Sequence, residues 1–431
     1  MTSPRRFDQE LPAIFAALYP IATPDYRDEL VQRIAVTPQR PAWTFIERWL
    51  PVDITAQRVA GPRIPMRQFA VLALVGLLVA AALAAYVGSQ RRLPDPFGLA
   101  ANGSIAYSVA GDILIRNDLA AEPTVVLGGT TDDHDPWFSP DGSRLAFVRT
   151  IEGKDYLMTV RANGSDVRQV LSQPLVDPFI VWSPDSRSFA FADSVRGIRA
   201  LSIVLADGSG SRSIDTGGVV PGDPSWRPPT GEEILFRGQA PDGSLDLYVV
   251  ASDGTGLRAL GLPSERLFGP DWDVTGAAWS PDGSRIAYNV VEFDPLSGVN
   301  HFRVHVIQPD GTGDVALPGP APEVMEAWPV WSPDGTSILV HRWTWKSAPD
   351  GGRGWLAILP ADGSAPARAI GPEVAGGEDT GLIKTWSPDG THVLVRAGNT
   401  LESFSIVASS GDFERLDWNA TNLPDWQRIA P

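Results

Sequence analysis

The sequence predicts an all-β protein, a ring of seven four-stranded sheets, and three observations predict it. A Trp-led segment recurs at steps of 45, 44, 53, 52, 55 and 40 residues, at Trp137, Trp182, Trp226, Trp279, Trp331, Trp386 and Trp426. Most copies continue into Ser-Pro-Asp-Gly and a short β-rich run, as in Trp279-Ser-Pro-Asp-Gly-Ser-Arg-Ile-Ala-Tyr288. Residues 104–127 hold three strand-like runs with no Trp strand before them, while residues 422–430 hold a Trp strand with nothing after it. A period of 40–55 residues with four strands each is the signature of a β-propeller blade.

Each element of the unit follows from local chemistry. An apolar strand ends at the Trp. Ser-Pro-Asp-Gly then turns the chain, because Pro fixes φ at its position and Gly takes the φ > 0 position. A second strand returns antiparallel, and a third follows, as in Leu247-Tyr-Val-Val250. Asn163-Gly164, Asp207-Gly208, Asp253-Gly254, Asp310-Gly311 and Asp362-Gly363 mark a second turn before a short fourth strand. The first and last segments complete one blade between them, which removes the open sheet edges that invite aggregation. Six full units and the split one make seven blades. A six-bladed ring is the alternative if the unit at Trp226 is a loop excursion. Ser186 stands in place of Gly in the second unit, and Arg227-Pro-Pro-Thr-Gly231 replaces the turn of the third, so both turns are expected to differ in shape.

The Trp/Ser-Pro-Asp-Gly/Ile-Ala-Phe pattern resembles the TolB-type, WD-repeat-like (PD40) propeller family of bacterial envelope proteins over roughly residues 100–430. The resemblance implies a propeller with an axial channel used mostly for protein–protein contacts. The chain departs from TolB in its anchor, its seven blades and its amino-terminal segment.

Charge and hydropathy divide the rest. The 431 residues carry a net charge of −16, about +2 over residues 1–68 and −18 over residues 69–431. So acidic a chain lacks the basic face of a general nucleic-acid binder. With no Cys there are no disulfides, Cys-ligated metals or thiol nucleophiles. Phe69 to Val87 is almost wholly apolar, and nineteen residues at a helical rise span roughly 28 Å, near the thickness of a bilayer core. This segment is expected to be a single uncleaved membrane helix. Arg58, Arg63 and Arg67 before it favour an inner N-terminus, which puts the propeller outside a bacterial cytoplasmic membrane.

The expected domains are therefore a helical cytoplasmic segment, 1–66, a transmembrane helix, 67–90, a linker, 91–103, and the propeller, 104–431. In the first, Phe7, Leu11, Ile14, Phe15 and Leu18 share one helical face, and Thr23-Pro24-Asp25 starts a second helix carrying Tyr26, Leu30 and Ile34. So small a segment buries little core alone, which suits a cytoplasmic partner. The layout resembles that of membrane-bound anti-sigma factors, without the His and paired Cys of their zinc signature.

Catalytic signatures are missing. There is no Gly-x-Ser-x-Gly elbow with a further α/β domain, no His-Glu-x-x-His and no phosphate loop. His301 and His305 sit four apart on a strand-like run, so both share a face that could take a metal, with no third ligand near them in sequence. The Asp of each Ser-Pro-Asp-Gly reads as a turn residue. A different set is more suggestive: acids precede each Trp strand, at Asp135, Asp177, Asp223, Asp273, Glu326, Asp379 and Asp425, with Asp132 and Asp133 beside the first. If first strands line the channel, these acids gather at one mouth and attract a cation such as calcium or a basic peptide. The expectation is thus a non-enzymatic interaction or sensing scaffold that needs no cofactor. An anti-sigma-type regulator and an enzyme with an unrecognised channel site are the alternatives.

Overall fold

Seven four-stranded antiparallel sheets follow one another along the chain in a computed structural model. It describes residues 95–430 except 176–178, 196–197, 264–275, 295–298, 346–347, 349–350, 378–381 and 398–401. Residues 1–94 lie outside the described residues, and with them the expected helical segment and membrane helix. No helix among the described residues is long and apolar enough to cross a membrane.

The twenty-eight described strands, numbered in chain order, fall four to a blade. Blade 1 is the split one: the last strand, β28 (Asp425–Ile429), pairs with β1 (Ala101–Val109), followed by β2 (Asp112–Arg116) and β3 (Thr124–Leu127). Blades 2 to 7 open on β4 (Asp132–Phe138), β8 (Ile180–Trp182), β12 (Val220–Trp226), β16 (Ala277–Trp279), β20 (Val324–Trp331) and β24 (Leu382–Trp386). The unit at Trp226 is therefore a true blade, and the ring has seven. β1 begins at Ala101, three residues before the expected start. The chain ahead of it is also tied down, since the Ala100 amide donates to the Pro388 carbonyl of blade 7 at 3.0 Å.

Among the described residues the apolar core is divided between the blades rather than gathered at the centre. Among the described residues eight apolar clusters each join two neighbouring blades, one at every seam and a second at the seam of blades 5 and 6. Leu339 and Leu356 of blade 6 meet Leu382, Trp386 and Val393 of blade 7, and Leu394 and Trp418 of blade 7 meet Ile105, Tyr107 and Trp426 of blade 1. Second strands are covered on both faces, so they read as continuous apolar runs such as Leu145–Val148.

The repeated Trp is the seam residue. The indole N–H of Trp226, Trp279, Trp331 and Trp386 donates to the carbonyl of Val181, Ser225, Ala278 and Val330 at 3.3, 3.2, 3.0 and 3.3 Å. Each acceptor immediately precedes the Trp of the blade before. First strands are thus neighbours around the ring and line its axis. Trp137 needs correction as a repeat marker. Phe138 pairs with Leu145 as Trp279 pairs with Ile286, so Phe138 holds the seam position and Trp137 lies one residue ahead of it. Lacking an indole there, the seam of blades 1 and 2 uses the Phe138 amide, which donates to Asp425 Oδ2 at 2.7 Å.

The Ser-Pro-Asp-Gly aspartates are turn residues. Asp282 Oδ1 accepts from the Ser280 hydroxyl at 2.5 Å and the Ser284 amide at 3.1 Å, and Asp141, Asp334 and Asp389 repeat the arrangement. Gly283 has φ +68°, and a Cβ on it would lie 2.1 Å from the Pro228 carbonyl oxygen, so only glycine fits. The turn at Arg227–Gly231 is one residue longer, as expected. The turn at Ser186 is not altered: Ser186 takes φ +60°, and its amide closes on the Ser183 carbonyl as Gly142 does on Ser139. Its hydroxyl accepts the Asp141 amide of blade 2 at 3.0 Å, a contact glycine cannot make. Ser186→Gly should be near neutral in a urea melt, since relief of left-handed strain (about 1 kcal/mol) offsets the lost bond. Ser186→Ala keeps the strain, loses the bond and should cost about 1–2 kcal/mol.

Candidate functional site

The end of the ring where the first strands enter is built on three bulges. In β4, β12 and β20 the register with the second strand slips between His134 and Trp137, Gly222 and Ser225, and Ala327 and Val330. The residues that absorb the slip, Asp135, Asp223 and Trp328, have φ of +49°, +49° and +55°. Each stands three before its seam residue, in alternate blades, and each precedes a proline, Pro136, Pro224 or Pro329. Proline bars the preceding residue from the right-handed helical region. A left-handed conformation is rare for non-glycine residues and an outlier for a bulky one, and such strain concentrates at functional sites.

Behind the bulges lie acid–arginine pairs. Arg149, Arg237 and Arg342 each follow their seam residue by the same interval along the second strand. Asp133 is buried and takes Arg149 Nε at 2.6 Å and Nη2 at 2.8 Å. Glu326, fully buried, takes Arg342 Nε at 2.8 Å and Nη2 at 2.6 Å. Asp223 lies 3.2 Å from Arg237.

The acids expected at the mouth therefore differ in placement. Asp135 is exposed and holds His134 Nδ1 at 2.9 Å, a bond that raises the imidazole's pKa above its ordinary value. Asp223 shares the equivalent bulge, Glu326 belongs to an internal ion pair, and Asp425 sits in the closing seam. Asp177, Asp273 and Asp379 lie outside the described residues. Among the described residues no three His, Asp or Glu lie close enough to hold a metal ion. His305 Nδ1 meets Asp314 Oδ1 at 3.0 Å, and the Tyr288 hydroxyl donates to the same oxygen at 2.8 Å, while His301 is buried further along the strand.

The third bulge carries features that the repeat pattern concealed. The Trp328 amide donates to Asn289 Oδ1 at 2.8 Å, and Asn289 Nδ2 donates to the Glu326 carbonyl at 3.1 Å, so one buried amide of blade 5 brackets the bulge of blade 6. The Trp328 indole stacks on His341 (5.4 Å, 10°) and on Trp343 (5.6 Å, 24°). Phe302 and Trp345 extend the cluster to the rim, where Trp345 is 38% exposed. From blade 7, the Lys384 ammonium lies 6.0 Å from the Trp328 ring centre. Lys384 is buried, and its ammonium has no carboxylate partner among the described residues. Density of Trp around Trp328-Pro-Val-Trp331 and Trp343-Thr-Trp345 was the available sequence signal.

Burial holds the Lys384 pKa down to about 7, and burial with Lys384 nearby pushes His341 well below the usual imidazole range. Because the folded lysine is less basic than the unfolded one, the unfolded state binds the extra proton between about pH 7 and 10. Stability from this group rises with pH across that window. Lys384→Met should gain about 2 kcal/mol at pH 6.5, after allowing for the lost cation–π contact, and the gain should vanish near pH 10 in thermal melts.

No family model matches the chain, and no curated relative does. Solved structures match it. An oligogalacturonate lyase in complex with manganese is 13% identical with a TM-score of 0.53, over 75% of this chain and 86% of that one. The Kuenenia stuttgartiensis hydrazine synthase is 14% identical with a TM-score of 0.51, over 74% and 97%. TolB from Acinetobacter baumannii is 17% identical with a TM-score of 0.42, over 75% and 66%. At such identities the likeness is one of fold, a β-propeller, and the names span unrelated functions.

Proposed function

We propose that the chain is a membrane-anchored, extracytoplasmic propeller that binds a protein partner at its bulged mouth and performs no reaction of its own. The strained Trp328 carries this reading. A bulky residue is held left-handed beside a partly exposed aromatic ledge, and rim aromatics of this kind anchor protein interfaces. The three acid–arginine pairs neutralise one another, which leaves the aromatic ledge rather than an acidic funnel as the principal contact. The apolar run 69–87 would anchor the chain with its N-terminus inside. A photo-crosslinking residue at position 345 of the full chain in its native membrane should capture one discrete partner, lost in Trp328→Ala. The same probe at Val125, exposed on an outer strand, should capture none. Equal labelling at both positions would sink the reading. Digestion of the propeller by protease added to intact spheroplasts checks its outward placement.

A further inference from the structure

The opposite face of the ring carries the Ser-Pro-Asp-Gly turns, and its seams can be compared with one another. At the seam of blades 5 and 6, Arg285 reaches across to blade 6. Its guanidinium carbon lies 4.8 Å above the Trp331 ring, and it donates to the Gly335 carbonyl at 3.0 Å and the Ala361 carbonyl at 3.3 Å. At the seam of blades 4 and 5, Arg227 lies 5.2 Å over Trp279 and donates to the Gly283 carbonyl at 3.0 Å. At the seam of blades 1 and 2, Gln427 Nε2 donates to the Gly142 carbonyl at 2.7 Å. In all three, a donor from one blade caps the turn glycine of the next.

Not every seam is capped: Arg144 of blade 2 bonds Asp166 instead, and at the seams of blades 3 and 4 and of blades 6 and 7 a serine, Ser188 or Ser337, stands at the place of Arg285. Ser188 stands directly before Phe189, the partner of Trp182, as Arg285 stands before Ile286, the partner of Trp279. Serine is too short to cross. Nothing described donates from a side chain to the Gly231 carbonyl. The space is a cavity of about 570 Å³, whose lining includes Ser188, Leu205, Trp226, Gly231, Ser252 and Asp185. Leu205 is 43% exposed there. Asp185 uses Oδ1 for the Ser183 hydroxyl and the Arg187 amide. Arg212 is also on the wall, with its guanidinium tied to the Ser252 carbonyl. At the next seam Arg258 occupies the same strand position beside Arg227, with Glu233 between them at 2.6 Å from each. Two guanidiniums therefore fit at that seam with an acid between them; Glu233 stands where Ser188 stands here, and the acid in the lining of this cavity is the turn residue Asp185.

We infer that the cavity between blades 3 and 4 receives an arginine side chain from a partner protein, which takes the place that Arg285 fills two seams further on. The guanidinium would donate to the Gly231 carbonyl, lie against Trp226 and face Asp185. The acidity of the described domain favours a basic partner. This surface is on the face away from Trp328 and stands independently of the mouth.

The test uses the full chain in detergent micelles and the peptide acetyl-Gly-Arg-Gly-amide in calorimetry. The peptide should bind, and its citrulline analogue, which keeps the shape without the charge, should bind at least about tenfold more weakly. Ser188→Arg should supply the cap internally, raise the unfolding temperature and abolish binding. Leu205→Trp should abolish binding by filling the cavity, which covers the case of Ser188→Arg failing to fold. Absence of binding by the wild-type chain, equal binding of citrulline, or binding unchanged in both folded variants would each overturn the inference.

Discussion

Trp426→Ala should lower stability by about 3–5 kcal/mol, and removal of residues 424–431 should abolish cooperative unfolding altogether. Trp426 is buried in the cluster that joins blades 7 and 1 and lies on β28, whose pairing with β1 closes the ring without a covalent link, so its loss opens a cavity where the closure is held by packing alone. β28 also supplies the inner edge of blade 1. The Ser104 amide donates to Gln427 Oε1 at 3.1 Å, Arg428 Nη2 donates to the Gly98 carbonyl at 2.8 Å, and the Ser108 amide donates to Asn422 Oδ1 at 2.7 Å. With no disulfide available, these contacts, the pairing of β28 with β1 and the apolar cluster around Trp426 close the ring. Urea melts followed by circular dichroism measure both changes; a cooperative melt of the truncated chain would show that six blades and an open seventh suffice.

Asp425 gives the same seam a pH dependence. Burial raises its carboxyl to about 6, although it accepts the Phe138 amide. The folded state then holds a proton that the unfolded state has released between about pH 4 and 6, so stability falls as pH rises through that window. Asp425→Asn keeps an oxygen acceptor and removes the fall, so it should gain about 2 kcal/mol at pH 7 and little at pH 4.

Arg342→Ala should cost about 3–5 kcal/mol at neutral pH, because it leaves the fully buried Glu326 without its counter-ion. Glu326 is already pushed up by burial in spite of Arg342. Its folded pKa lies above the unfolded one, so its contribution to stability falls as pH rises through that interval, and without the arginine the interval widens upward. The variant should therefore lose more at pH 8 than at pH 5. Replacing both partners, Glu326→Leu with Arg342→Met, should recover much of the loss, since apolar side chains of similar size carry no desolvation penalty. Additive losses in that double-mutant cycle would show that the two groups do not act as a pair.

The blade count and the split closure were legible because they rest on local chemistry. Pro and Gly at fixed offsets dictate the turns, and β-rich runs between them dictate strands whatever lies beyond. Glu326 and Asp223 were legible as acids ahead of a Trp strand, but not as partners of Arg342 and Arg237, because those partners are sixteen and fourteen residues away and meet only through strand register. Phe138 was passed over for Trp137 because residue type marks a seam only until register decides which residue occupies it. Ser186 looked like a broken turn because sequence shows the missing glycine and not the Asp141 amide waiting in the preceding blade.

The sequence by itself determined that this chain repeats, how often, and how its ends meet, since every unit encodes its own turns and strands. The tertiary structure alone decided which unlike residues share a place. It sets Asp135, Asp223 and Trp328 on equivalent bulges, leaves Lys384 buried beside an indole, and opens a cavity where one blade has serine and another arginine. Those outcomes depend on the packing of neighbouring blades against each other, and the side chains that meet there are distant in sequence.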